Sequence, residues 1–453
     1  MTALKKIIKS RNLTELLGNI SYDALNKISF ILIVFFIVSP FFYIVSDLAN
    51  AYLLTAIRGV YNYFVMRTGF VVLIIYSLKK IKEQEHFSLF DFFEQNRALG
   101  FFAVFIVLMI ISTAVNGFTE LSLYGSAYRR EGLCGYISYF VYFLLAYIIS
   151  DKKLVRLIVY ISCISSSAVS SMHIIDHAFF GHYKPRGTDT IAFENTNHLG
   201  YYLAVSFIIA AMLAVTERKA ISKIIFSICS GLNVIALLIS DTLGSELSAA
   251  ITTVFIVIVY TLCSGRFRII SILPAVIFIF MSVLGFFTSD HINRSMKLNY
   301  YQLINDTIAL TDGIEEAEHS TGVERIVLWE NTWRYVCEKP FLGFSADATG
   351  ERLENDAGID RCHCEYLNYA VAYGILAAVF YIAGVFNVYL RGLFRRKKLD
   401  QYNITGLCAA FAYLVSAAVG NTMYYTAPFL FIMLGFGYKK ESTQEKSCGD
   451  KVS

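Results

Sequence analysis

A chain of 453 residues that is 56% hydrophobic, 15% aromatic and only 16% charged has too little polar surface for a water-soluble fold of its size. Its apolar runs of about 18–22 residues are long enough to cross a hydrocarbon core of about 30 Å, so the composition implies an all-α, polytopic membrane protein. The formal net charge of +4 says little, because the charges are sorted by side, and nothing in them points to nucleic acid.

Residues 1–27 are polar and basic, with Lys5, Lys6, Lys9, Arg11 and Lys27 ahead of the first apolar run. No small-residue cleavage site follows that run, so no cleavable signal is expected. The positive-inside rule places this segment in the cytoplasm. From there the apolar runs predict spans at about Ile28–Ser46, Gly59–Leu78, Ala98–Val115, Leu133–Ser150, Leu154–Ile175, Leu199–Thr216, Ile221–Ser240, Glu246–Cys263 and Ile269–Thr288. A long polar interruption, residues 289–364, separates these from three further spans within residues 365–438, at about Glu365–Leu390, Tyr402–Val419 and Met423–Tyr438, and residues 439–453 form a tail. Every loop assigned to the cytoplasm carries at least two Lys or Arg. The alternation predicts about 12 spans, both termini in the cytoplasm, and a large outer loop between helices 9 and 10.

The end of that loop, Ser320 to Leu367, is where the chemistry gathers. Thr321-Gly322-Val323-Glu324 has the form of a capping box and predicts a helix start near Gly322. Ile326, Trp329, Trp333 and Val336 recur at helical spacing, so one apolar face is expected to hold both tryptophans of the protein. Pro340 and Gly343 end the helix. Arg325 falls near its start, where free N–H groups and the helix dipole favour an anion. His363 follows, two residues before Glu365, where the next apolar run begins. The loop as a whole holds fourteen Asp and Glu against seven Lys and Arg, the pattern of a solvated surface. Cys337, Cys362 and Cys364 leave a disulfide open. No second pair of ligands at metal spacing accompanies His363, so no metal is expected.

Arg129, Arg130, Lys184, Arg186 and Arg325 stand in three outer loops against the positive-inside trend. One such arginine is accounted for by a loop acid or a lipid headgroup; three loops together fit a shared anion, most simply a diphosphate, held by the planar guanidinium fork. Arg67, near the middle of the second span, is either a functional intramembrane charge or one that snorkels to the surface. His173, His177, His182 and His198 also lie on or near the outer side, so chemistry alone does not single out His363.

Four segments, YGSAYRREGLCGYISY, RGTDTIAFENTNHLGYYLA, ERIVLWENTWRYVCEKPFLGF and DRCHCEYLNYAVAYG, resemble in order, spacing and sidedness the O-antigen ligase and O-antigen polymerase superfamily of bacterial envelope proteins. The resemblance covers about Tyr124 to Gly374. The departures are Thr196 where the family has Pro, Ser345 for a Gly, Cys364 for the Asn after the histidine, and Thr242-Leu243-Gly244 for Ser-Arg-Gly.

The resemblance implies a metal-independent, inverting glycan transferase without cofactor, acting on the outer face of the bacterial cytoplasmic membrane. Its partners would be a polyprenyl-diphosphate-linked oligosaccharide, a glycan acceptor and membrane lipid. On these matches Arg325 and Arg186 would bind the donor diphosphate with Arg129 and Arg130 adding charge. His363 would act as base, oriented by Glu365, with Trp329, Asn197 and Arg67 in support. Surplus outer basic residues favour a polymerase over a ligase. A transporter or flippase of lipid-linked glycan is the alternative of another class, hinted at by Arg67, Asn233 and the Ser162–Ser171 run.

Overall fold

The computed structural model describes residues 10, 12–48, 53–84, 86–126, 129–180, 193, 195–311, 321–421 and 423–439. They form helices and no strand. In chain order these are α1 (Leu13–Asn19), α2 (Tyr22–Leu48), α3 (Leu53–Glu83), α4 (Leu89–Gln95), α5 (Arg97–Asn116), α6 (Glu120–Tyr124), α7 (Leu133–Ile148), α8 (Lys152–Ile175), α9 (Thr196–Thr216), α10 (Ala220–Ile239), α11 (Leu243–Ser264) and α12 (Leu273–Thr288). The polar interruption then contributes α13 (Asp290–Thr311), α14 (Thr321–Glu338) and α15 (Gly350–Ala357), and the chain closes with α16 (Glu365–Tyr373), α17 (Ile375–Phe394), α18 (Gln401–Ala417) and α19 (Ala427–Tyr438). Among the described residues, eight helices are long and apolar enough to cross a membrane: α2, α5, α8, α9, α10, α11, α12 and α17. The chain is an integral membrane protein. The second, fourth, eleventh and twelfth expected spans fall on α3, α7, α18 and α19; of these α7 has 16 residues and α19 only 12.

The bundle is built around α9. Its sequence is apolar on every side, and every residue from His198 to Val215 is buried, as a helix hydrophobic all round requires. The equally apolar α19 is buried along its whole length. By contrast α12 keeps most of its apolar surface outward, the pattern of a lipid-facing helix.

Two expectations need correction here. The tenth span is not one helix from Glu365 to Leu390. It breaks at Gly374, whose φ of 93° only glycine adopts readily, into the short α16 and the longer α17. The break is held by the Pro340–Ser345 segment, which lies alongside it. Phe344 and Ser345 donate their N–H groups to the carbonyls of Val371 (3.0 Å) and Ala372 (2.7 Å), and Ile375 donates to Pro340 (2.8 Å). From α5, Asn116 donates to the Gly343 carbonyl at 3.2 Å. A Cβ on Gly374 would run into the Phe341 backbone. The second correction concerns α14. Its buried stripe is Leu328, Thr332, Tyr335 and Val336, while Trp329 is half-buried and Trp333 is 52% exposed. The helix is turned relative to the expected face because Tyr335 is tied to Asp356 of α15, and Arg352 of α15 grips Glu338 through both guanidinium nitrogens at 3.0 and 3.1 Å. These loop acids serve contacts inside the α13–α15 layer rather than only facing solvent.

Candidate functional site

One end of the bundle gathers charge from five segments: the α6–α7 loop, the start of α9, the start of α14, the α15–α16 loop and the α18–α19 turn. α14 begins at Thr321, one residue before the expected start; the side chains of Thr321–Glu324, and with them the expected capping box, lie outside the described residues.

In the α6–α7 loop, Arg129 is buried and grips Asp360 of the α15–α16 loop through two hydrogen bonds, Nε to Oδ2 at 3.1 Å and Nη2 to Oδ1 at 2.7 Å. Its Nη1 faces the Met423 sulfur of the α18–α19 turn at 3.9 Å. One residue after Asp360, the buried Arg361 pairs with Asp347 and lies 3.7 Å from Glu131, itself 1% exposed. The backbone N–H of Ser126 caps the second Asp347 oxygen at 2.6 Å. Burial pushes the Glu131 carboxyl up to about 8 against the pull of Arg361 and Arg129, so it is neutral at pH 7. The inner layer is therefore nearly balanced: two arginines, two aspartates and a protonated glutamate.

His363 sits on this layer in the left-handed region, with φ of 50°, a conformation costing a non-glycine residue about 1–3 kcal/mol. Its ring makes no hydrogen bond to a described residue. Burial, then the charges of Arg325 and Arg129, drive its pKa down to about 4, with Asp360 acting in the opposite sense. The imidazole is therefore neutral at pH 7, the form that accepts a proton. Arg325 is half-buried and, among the described residues, forms no ion pair or hydrogen bond. Among the described residues, Arg129 and Arg361 of this cluster are already engaged by carboxylates, whereas Arg325 is not.

The structure gives His198, one of the outer-side histidines, a place here and adds residues that the sequence did not single out. His198, in the first turn of α9, is buried within electrostatic reach of Arg129 and His363, and its Nδ1 lies 2.7 Å from the Tyr425 hydroxyl. Tyr201, one turn on, lies within reach of Arg325 and Glu365. Its hydroxyl occupies the space that a Cβ on Gly420 would need. The turn after α18 thus supplies Gly420, Met423 and Tyr425 to the site. The expected span Met423–Tyr438 starts as a helix only at Ala427, with Pro428 in its first turn. Arg361 and His198 both lie inside the quoted motifs, as the neighbour of Asp360 and as the residue after Asn197, so the signal was present.

The remaining expected residues divide. Glu365 is fully buried and accepts hydrogen bonds from the hydroxyls of Tyr369 (3.1 Å) and Tyr381 (2.9 Å). It anchors α16 to α17, and the carboxylate whose charge raises the His363 pKa is Asp360. Trp329 is half-buried on α14, its indole N–H unpaired among the described residues, and Asn197 is half-buried at the start of α9, its N–H accepted by Asn195 at 2.8 Å. Arg130 does not join Arg129; it lines a separate cleft. Arg67 is exposed on α3. Arg186, Lys184 and His182 lie outside the described residues. The His177 ring lies 4.7 Å from that of His291, tilted by 54°, and with His173 the two form a second cluster distinct from His363. Cys337, Cys362 and Cys364 are free thiols. Of the polar residues that hinted at transport, several are used inside the bundle: Ser170 donates to Asn233 at 2.7 Å, and Ser162 and Ser167 donate to carbonyls of their own helix.

Fold and site together define an integral membrane protein with a histidine set among arginines at one end of a helical bundle. Residues 225–382, about a third of the chain, match the family model for O-antigen ligase. The matched stretch runs from within α10 to within α17, includes Arg325, His363 and Glu365, and supports a likeness to the O-antigen ligase and polymerase superfamily. No curated protein and no solved structure matches the chain.

Proposed function

We propose that this protein moves a glycan from a polyprenyl diphosphate to an acceptor hydroxyl on the outer face of the cytoplasmic membrane, and that it polymerises surface polysaccharide repeat units. The observation that carries the reading is Arg325, a cation without an ion pair among the described residues, within electrostatic reach of a neutral His363. Arg325 and Arg186 hold the donor diphosphate, and Arg129, fixed by Asp360, adds field. The acceptor oxygen attacks the anomeric carbon from the face opposite the diphosphate, so the anomeric centre inverts. The bond from that carbon to the diphosphate oxygen breaks with its electron pair on the oxygen, and the arginines stabilise the new charge without a metal. His363 takes the hydroxyl proton. The alternation of basic loops supports a topology of about 12 spans with both termini inside and residues 289–364 outside.

Polymerase and ligase share donor and leaving group, and differ in acceptor. Basic residues beyond those needed for one diphosphate favour the polymerase. Reconstitution with one purified lipid-linked repeat unit and no other acceptor decides it. A ladder of longer lipid-linked glycans, lost in His363→Ala while donor still binds, is the expected result. Donor left unchanged until a different acceptor is added would make the protein a ligase, and glycan moved across the bilayer without a new bond would make it a flippase.

A further inference from the structure

Arg129 and Arg130 are adjacent in sequence yet serve different surfaces. Arg129 is locked to Asp360 in the inner layer. Arg130 has a φ of 52°, which turns the chain at this residue, and its carbonyl packs against Gly135 in the first turn of α7. Its side chain lines a separate cleft of about 600 Å³, shared with Tyr63 of α3 and with Tyr124, Gly125 and Ser126; Glu120, which is exposed, completes the lining with Leu121. Tyr63 and Tyr124 meet edge to face at 5.6 Å, and the Tyr63 hydroxyl donates to the Tyr124 carbonyl at 3.3 Å, so the aromatic wall is built.

Below the cleft, α3 carries a second arginine. Arg67 is one turn below Tyr63 on the same face and within electrostatic reach of Cys134 in the first turn of α7. It is exposed, and it interrupts a stripe of exposed apolar residues at helical spacing, Phe64, Val71, Ile74 and Leu78. That stripe is the lipid-facing side of α3. A lone arginine there is costly unless an anion meets it. Among the described residues neither Arg67 nor Arg130 forms an ion pair or hydrogen bond through its side chain.

We infer that this cleft holds the phosphate of a second long-chain lipid, which enters sideways along α3 and is gripped between Arg130 and Arg67. Two guanidinium groups without a partner among the described residues supply the charge, the tyrosines supply a wall for the group beyond the phosphate, and the apolar stripe supplies a track for the chain. Under the transfer proposed above, the occupant is the acceptor, a second polyprenyl-linked glycan. That identification rests on the transfer reading, whereas the anion site does not.

The test is native mass spectrometry of the whole protein in phosphatidylcholine nanodiscs titrated with polyprenyl monophosphate. Two bound molecules per protein are expected. Arg67→Gln with Arg130→Gln should leave one, sensitive to Arg325→Ala; Arg325→Ala alone should leave the other. If the double variant does not fold, Arg130→Gln alone is scored, with at least a tenfold weakening of the second binding event expected. One molecule in the wild type, or two retained in the arginine variants, overturns the site. Displacement of the Arg130-dependent molecule by a tenfold excess of phosphatidylglycerol overturns the assignment to a polyprenyl lipid, because any anionic headgroup then suffices. Two molecules bound, with no longer glycan made from a lipid-linked repeat unit, sinks the transfer reading and leaves the site standing.

Discussion

Donor binding should load a proton onto His363. In the free protein its pKa is held at about 4 instead of 6.5, which is about 3 kcal/mol against the imidazolium at 1.36 kcal/mol per tenfold change. Burial is the largest cause and persists when substrate enters. The opposing charges of Arg325 and Arg129 do not persist, because a bound diphosphate offsets them. Removing a nearby like charge raises a pKa by about 1–3, so a rise of about 1.5, to about 5.5, is a moderate expectation. At pH 5 the free imidazole is then about 9% protonated and the complexed one about 76%, so binding takes up about 0.7 proton. A glycan-linked polyprenyl diphosphate, substituted at both ends, has no ionisation of its own near this pH. Calorimetry of donor binding at pH 5, in two buffers of different ionisation enthalpy, measures the uptake directly, with uptake near zero at pH 8. Arg325→Ala should shrink it, since part of the depression is then already gone from the free protein. An uptake below about 0.1 at pH 5, or one unchanged in His363→Gln, refutes the coupling between diphosphate and base.

The same depressed pKa has a sign for stability. The neutral imidazole is favoured in the fold, so its contribution is full above pH 6.5 and drains away as pH falls from 6.5 towards about 4; the melting temperature of wild type should fall across that window more than that of His363→Gln. Arg325→Ala should lower kcat/KM by about 10–150-fold, the loss of a charge-assisted contact of about 1.5–3 kcal/mol, and Arg325→Lys should recover only part of it; unaltered product length and yield in Arg325→Ala would mark the residue as structural. Gly374→Ala should cost about 1–3 kcal/mol, because it combines a positive φ with a Cβ set against the Phe341 backbone, and a melt in detergent indistinguishable from wild type would count against the broken span. Cys337 is exposed, so an impermeant maleimide added to intact cells should label it; labelling only after lysis would reverse the topology. Transfer should continue in chelator, and a strict need for a divalent ion would end the metal-free mechanism.

Much of this protein is legible along the chain because the bilayer imposes a one-dimensional code. Apolar length marks the helices, and the start of α5, α8, α10 or α11 lies within about three residues of the expected span. The residue types of the site were legible too, since an arginine beside a histidine at a membrane edge is costly without a purpose. Pairing was not. That Arg129 is spoken for by Asp360, more than two hundred residues away, while Arg325 has no such partner among the described residues, depends on which loops meet. So does the parting of Arg129 from Arg130, which turns on one left-handed residue, and the entry of His198 and Tyr425 into the site. Glu365 stands two residues from His363 in sequence, but the helix that begins between them carries its carboxylate inward to Tyr369 and Tyr381. Sequence distance and hydropathy therefore determined the helices and the cast of charged groups. Only the packed structure, where burial and opposing charge are set by neighbours remote in the chain, decided which cation is neutralised and which is left to meet an anion.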